Sequence, residues 1–123
     1  MNTQVIEQEF LQYTQLWVEN FNKGNIKYCI DAYTNDARMI VKGIGKFEGR
    51  EEISNFWNEL TKTAKTLEYI NTNIIVLNEQ TVHLNAEWKM NIGEGIITLE
   101  EWVKQEDGRW MLENDCFQVD KQY

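Results

Sequence analysis

The hydrophobic residues of this 123-residue chain change their spacing near Leu67, and this change limits the possible folds more than any other feature. Before it, apolar residues recur every three or four positions, which is the period of a helix that buries one face. After it, they alternate with polar residues, most clearly over residues 81–90, as in a strand with one wet face. Helices followed by consecutive strands favour an α+β fold, an antiparallel sheet with helices on one face, over a parallel βαβ array.

The spacing also predicts where the elements lie. We expect a first helix over residues 3–23, ended by Gly24, and a short second helix with Tyr33 on its buried face. A β-prone run at 37–41 and a glycine-rich turn at 42–46 precede a third helix that begins near Gly49. Four strands joined by hairpins complete the chain, at residues 67–77, 80–91, 95–105 and 109–119, with Asp107-Gly108 as the strongest turn signal.

Length and charge narrow the class of protein. A chain of 123 residues with 42% hydrophobic residues fits one domain, residues 1–123. Twenty acids against twelve bases give a net charge of −8, so neither nucleic acid nor a membrane surface is an expected partner. The chain has no apolar run long enough to cross a bilayer and no basic leader, and we expect a cytoplasmic protein.

The polar residues that carry chemistry are few. Cys29 and Cys116 have no nearby Cys or His at metal-ligand spacing, so no metal or cofactor is expected. Two reduced, buried thiols are favoured over a disulfide in a reducing compartment. The single serine, Ser54, lacks a nucleophile-elbow sequence, and His83 is better explained as a surface or dimer-facing residue than as a pocket acid or base.

The catalytic candidates are two acids of the last expected strand. Asp115 and Glu113 are two residues apart, so a regular strand would place them on one face together with Phe117. If that face lines a closed apolar pocket, desolvation raises their pKa values and suits them to proton transfer. If it faces water, they are solubility charges.

The bulky side chains are the most informative group. Five Trp, five Tyr and five Phe exceed what a thin helix-on-sheet core needs. They either fill the core solidly or line a cavity for a flat apolar ligand. The expected ligand-binding residues are Trp17, Tyr33, Met39, Phe56, Trp57, Trp88, Trp102 and Phe117.

Four segments, together with the order of the elements, carry a family resemblance: residues 21–25 (FNKGN), 32–37 (AYTNDA), 47–53 (FEGREEI) and 107–110 (DGRW). In these the chain resembles the nuclear-transport-factor-2-like superfamily, and within it the small SnoaL-like and ketosteroid-isomerase-like proteins. The resemblance implies a cone-shaped fold of cystatin-like topology. In that fold a curved antiparallel sheet, mixed at its edge, wraps around three N-terminal helices and leaves a pocket at its open end. It also implies a homodimer across the outer face of the sheet.

The resemblance carries over the isomerases' catalytic residues only in part. Their oxyanion-binding tyrosine falls at Trp17, and their general-base aspartate falls at Val41, which cannot take a proton. Their second oxyanion acid falls near Leu99 or Glu100, while Asp115 lies where their last strand lines the pocket. Steroid isomerisation by that mechanism is therefore not expected, and a cyclase-like role would depend on Asp115.

Three functions remain open from the sequence. The first is an enzyme doing acid/base chemistry, of isomerase, cyclase or hydrolase type, on a small apolar or amphipathic molecule. The second is a protein that binds such a molecule without chemistry. The third is an oligomerisation module whose pocket is filled by its own tryptophans. A titratable group that faces a cavity separates the first from the others.

Overall fold

The computed structural model describes residues 1–123 as three helices and one six-stranded sheet. The strands follow the order β2-β1-β6-β5-β4-β3, and every neighbouring pair is antiparallel except β1 with β6. The predicted α+β class and the consecutive antiparallel pairing of the last four strands are confirmed. None of the helices is both long and apolar enough to span a membrane. The elements are α1 (Thr3–Asn22), α2 (Ile26–Asp31), β1 (Tyr33–Lys42), β2 (Gly45–Glu48), α3 (Gly49–Leu60), β3 (Leu67–Asn78), β4 (Thr81–Met90), β5 (Gly93–Lys104) and β6 (Trp110–Gln122).

Helix α1 forms where the helical period predicts it. The side chain of Asn2 caps its first turn by accepting the backbone N–H groups of the fourth and fifth residues. Its buried residues are Phe10, Thr14, Trp17 and Phe21, at steps of four, three and four, so one stripe faces the core. The chain leaves the helix through Gly24 at a positive φ of 79°.

The segment after α2 differs from the prediction. Tyr33 was expected on a helix, but α2 ends at Asp31 and Tyr33 is the first residue of β1. The backbone N–H of Leu112 donates to the carbonyl of Ala32 at 2.8 Å, and Tyr33 pairs with Leu112 in the sheet. Pairing with a strand eighty residues away therefore ends the helix one turn earlier than local periodicity indicates.

A short strand within the predicted turn was also missed. Gly43, at a φ of 82°, makes the turn, and the chain then returns along β1 as β2, with Met39 opposite Phe47. Four residues with one partly buried side chain carry too little alternation to be recognised as a strand.

The sheet is curved, mixed and unclosed, and its concave face holds the core. Inward residues of β4, such as Leu84 and Trp88, are buried in the core, while Ile75 and Ile96 are exposed on the convex face. The register of pairing shifts along β3–β4, β4–β5 and β5–β6, which marks bulges that bend the strands. At Gly95 a Cβ would lie 2.0 Å from the carbonyl oxygen of Gln118, so only glycine fits there.

The two cysteines are both free thiols. Cys29 is buried, and burial raises the pKa of its thiol to about 12. Its carbonyl accepts the indole N–H of Trp17 at 3.1 Å, which ties α2 to α1. Cys116 is only half-buried, so the expectation of two buried thiols holds for Cys29 alone.

Candidate functional site

A small cavity lies between the helices and the concave face of the sheet. Its free volume is about 30 Å³, room for about two water molecules. Eight of its ten lining residues are hydrophobic, and the other two are carboxylic acids. The lining residues are Trp17, Trp57, Leu67, Tyr69, Trp88, Met90, Ile97, Glu100, Asp115 and Phe117.

The two acids lie side by side. Glu100 on β5 and Asp115 on β6 are partners in the sheet register, and their residues are 2% and 4% exposed. Buried carboxyl groups require hydrogen-bond partners, and here all the observed partners are neutral. The Tyr33 hydroxyl donates to Asp115 Oδ2 at 2.7 Å, and the Tyr69 hydroxyl donates to Glu100 Oε2 at 2.6 Å. No arginine, lysine or histidine is bonded to either carboxyl group.

The hydrogen bonds distinguish the two acids. Trp102 Nε1 donates to Glu100 Oε1 at 2.8 Å, so both oxygens of Glu100 accept a hydrogen bond. Trp57 Nε1 donates to the Tyr33 oxygen at 3.1 Å, which directs the Tyr33 proton to Asp115 Oδ2. Oδ1 of Asp115 is then the carboxyl oxygen with no donor bonded to it. A single proton shared by the pair is therefore better placed on Asp115, and the negative charge on Glu100.

Electrostatics agree with this assignment. Burial, followed by the negative charge of Glu100, raises the pKa of Asp115 to about 8, against the opposing hydrogen bond from Tyr33. Burial also raises the pKa of Glu100, against the hydrogen bonds from Tyr69 and Trp102. Desolvation raises the pKa values of Tyr33 and Tyr69 well above the ordinary range, so both phenols remain proton donors in hydrogen bonds.

The structure brings half of the expected ligand-binding residues to the cavity wall. Trp17, Trp57, Trp88 and Phe117 line it. Tyr33 and Trp102 lie behind the wall, where they hold the two carboxyl groups. Of the remaining two, Met39 is fully buried as the β1 register partner of Asp115, and Phe56 borders a separate surface cleft.

Glu113, the second catalytic candidate, is not among the cavity-lining residues. It is half-buried at a register shift in β6, because Leu112 pairs with Trp102 whereas Asn114 pairs with Glu101. The extra residue breaks the strict alternation that would have placed Glu113 on the face of Asp115.

Five cavity residues were not among the expected site residues, and two of them, Glu100 and Tyr69, carry polar groups. Glu100 was noted as half of an adjacent acid pair with Glu101 and as one of two positions for the isomerases' second acid, but it was not selected as a catalytic candidate. The hairpin turn alone does not identify Glu100, because a regular hairpin that starts from the Lys104–Trp110 pair would place Asp115 opposite Leu99. The shift at Glu113 moves Asp115 by one position, opposite Glu100.

His83 lies on the other side of the sheet. Its Nε2 is 2.8 Å from Oε2 of Glu101, and Asn114 donates to Oε1 of the same carboxylate at 2.8 Å. The hydrogen bond with His83, followed by that from Asn114, lowers the pKa of Glu101. Val41, where the resemblance placed the isomerases' general base, is buried in β1 and carries no titratable group.

Comparison with known proteins identifies the family to which this chain is similar. The family model described as the nuclear transport factor 2 (NTF2) domain matches residues 9–119. No curated protein matches the sequence.

Among solved structures, a scytalone dehydratase-like protein from Novosphingobium aromaticivorans has a TM-score of 0.83 at 10% identity, over 98% of this chain and 88% of that one. A ketosteroid isomerase-like protein from Erwinia carotovora atroseptica has a TM-score of 0.76 at 16% identity, over 95% of both chains. A Catenulispora acidiphila protein in complex with S-DNPA has a TM-score of 0.76 at 15% identity, over 94% of both chains. Likenesses at this level of identity establish the fold alone. The family match and the observed architecture together show that this chain belongs to the nuclear transport factor 2 domain family.

Proposed function

We propose that this protein is an enzyme that transfers protons on a small, neutral, apolar or amphipathic molecule, with Asp115 and Glu100 as its acid–base pair. One observation carries the proposal: two carboxyl groups are adjacent, buried and hydrogen-bonded only by neutral donors at the wall of an aromatic cavity. A purely structural core gains nothing from such a pair, because apolar residues of similar volume would avoid its desolvation.

The pair supplies both halves of a proton transfer. Asp115, protonated at neutral pH, donates a proton from Oδ1 to an oxygen of the bound molecule. Glu100, ionised, accepts a proton from a carbon of that molecule or from an attacking water. A carboxyl group with a pKa near the working pH is suited to this exchange.

The residues that line the cavity favour a neutral, flat and apolar ligand. Glu100 is a buried negative charge without a cation beside it, so a second negative charge on the ligand would be repelled at close range. The tryptophan and phenylalanine rings favour a flat apolar body. The structural neighbour solved with S-DNPA supports small-molecule binding within this fold.

The test is hydrogen exchange at carbon. A panel of neutral cyclic and aryl ketones in D₂O, followed by NMR, reports removal of the proton beside the carbonyl. We expect exchange with the wild-type protein and its loss in Asp115→Asn and Glu100→Gln. Affinity should stay within about tenfold, or ~1.4 kcal/mol. Asp120→Asn, an exposed acid on the same strand, is the matched control and should exchange like wild type.

A non-catalytic binding protein is the second candidate. The small free volume of the cavity favours it, since aromatic side chains already occupy most of the space. It predicts that the ketones bind without exchange and that Asp115→Asn changes nothing beyond affinity. Unchanged exchange in Asp115→Asn would also remove Asp115 from the mechanism.

The proposed assembly is a homodimer across the convex face of the sheet. Large apolar side chains remain exposed there, which is costly on a monomer surface. Sedimentation at micromolar concentration tests this assembly, and a strict monomer would contradict it. The large apolar residues exposed on β1, β3 and β5 are Ile40, Ile75, Leu77 and Ile96.

A further inference from the structure

A second, larger space adjoins the cavity. It is a surface cleft of about 280 Å³ between the end of α3 and the ends of β1, β4 and β6. Ten of its twelve lining residues are hydrophobic, and none has a charged side chain. The residues that it does not share with the cavity include Val41, Ile44, Phe56, Leu60, Ile92 and Val119. We call this space the outer cleft.

The cavity and the outer cleft share one wall, made of Trp88, Met90 and Phe117. The Phe117 ring stacks on Trp57 of the cavity, with ring centres 6.0 Å apart, and lies 6.2 Å from Phe56 of the cleft. It therefore stands between the two spaces.

The members of this wall are not equally fixed. Trp88 is anchored, because its indole N–H donates to the carbonyl of Gln118 at 3.1 Å. Phe117 has no polar group to anchor it, and Met90 is a flexible thioether. Rotation of these two side chains would join the cavity to the cleft without breaking a hydrogen bond.

We propose that the outer cleft is the subsite for an uncharged apolar tail, and that the ligand is an elongated neutral molecule whose polar end reaches Asp115 past Phe117. This inference rests on the proposed function, which places the reacting group at the carboxyl pair. The cavity alone is too small for such a molecule, whereas cavity and cleft together reach the roughly 300 Å³ at which small-molecule sites begin. The absence of charged side chains from the cleft lining argues for a hydrocarbon tail.

A homologous series of 4-alkylphenols, from phenol to hexylphenol, tests the subsite. The phenol oxygen can meet Asp115 while the alkyl chain extends into the cleft. Affinity for the wild-type protein, measured by calorimetry, should rise about fourfold for each added methylene until the cleft is full. An affinity that does not depend on chain length, or no binding of butylphenol, overturns the proposal.

Two variants locate the tail. Val119→Trp fills the cleft and Ile44→Asp places a charge at its rim, and both should abolish the chain-length dependence while leaving phenol affinity within about threefold of wild type. Val5→Asp is the matched control for Ile44→Asp, since these residues are 55% and 57% exposed and Val5 lies in the first turn of α1, away from the cleft and from the convex face. It should keep the full dependence. Thermal melts establish that each variant is folded. Chain-length dependence that persists in both cleft variants overturns the assignment.

Binding and turnover separate the two proposals. If Asp115→Asn abolishes exchange and alkylphenol affinity is independent of chain length, the acid–base function stands and the subsite is wrong. If the chain-length dependence is present and Asp115→Asn exchanges like wild type, the subsite stands and the acid–base pair is wrong.

Discussion

Replacement of Asp115 by asparagine should make the protein more stable at alkaline pH, although it removes a buried hydrogen-bonding carboxyl group. Asparagine keeps an oxygen that can accept the Tyr33 hydroxyl and cannot ionise. In the wild-type protein, burial and the charge of Glu100 raise the pKa of Asp115 from 3.8 to about 8. The folded state therefore binds this proton more tightly than the unfolded state does. Protonation of Asp115 therefore contributes to the free energy of unfolding. This contribution is complete below about pH 4 and is lost as the pH rises to about 8.

The size of the effect follows from the same pKa values. Each pH unit between the folded and unfolded pKa is worth about 1.4 kcal/mol, so ionisation of Asp115 removes on the order of 5 kcal/mol across that interval. The Asp115→Asn variant avoids this loss, and its advantage over wild type should grow with pH and level off above about pH 8.

Urea unfolding of wild type and Asp115→Asn at pH 5, 7 and 9 measures the effect. The difference between the two proteins reports the titration of Asp115 together with its coupling to Glu100, because the net charge of −8 and the more distant acids act on both. Asp120→Asn, which replaces an exposed acid on the same strand, is the matched control for the substitution itself. A variant that is less stable than wild type by the same amount at every pH would refute the reasoning, because Asp115 would then ionise in the folded protein as easily as in water.

Three further predictions follow from the packing and the hydrogen bonds. Truncation of Trp17 to alanine should destabilise the protein by about 3–5 kcal/mol in urea unfolding, since the indole is 4% exposed in the core, and a melting temperature within a degree or two of wild type would contradict its burial. Tyr33→Phe removes the hydrogen bond that lowers the pKa of Asp115, so the pH at which the free energy of unfolding decreases should move upward. An unchanged or lower midpoint of this pH dependence would contradict Tyr33 as the donor. Gly95→Ala should prevent stable folding, because its Cβ would lie 2.0 Å from a backbone carbonyl oxygen. Gly45→Ala, where no atom lies closer than 3.9 Å to the added Cβ, is the control and should melt close to wild type. Equal melting temperatures of the two variants would show that β6 can move away.

Much of the fold could be predicted because its signals are local. The change of hydrophobic period near Leu67 marks the start of β3, the first of the last four strands in the sequence. Asp107-Gly108 lies in the turn between β5 and β6. Tyr33 was misplaced because the parallel pairing of β1 with β6, not local periodicity, decides its conformation. β2 was missed because four residues are too short to show alternation.

The candidate site was less predictable, because it depends on register. The alternation of residues correctly linked Asp115 with Phe117, which both line the cavity. It failed for Glu113, and it gave no reason to select Glu100, because one extra residue in β6 changes which side chains meet across the β5–β6 pair. The sequence contains no strong signal for a bulge at that position.

The central claim, that Glu100 and Asp115 share one proton at neutral pH, is tested most directly by carbon-13 NMR of the side-chain carboxyl groups. Single substitutions, Asp115→Asn and Glu100→Gln, assign the two resonances. We predict that one buried carboxyl group titrates near pH 8, that its resonance is absent from Asp115→Asn, and that its midpoint falls in Glu100→Gln because the repelling charge is gone. Two carboxyl groups that both titrate near pH 4 would contradict the account.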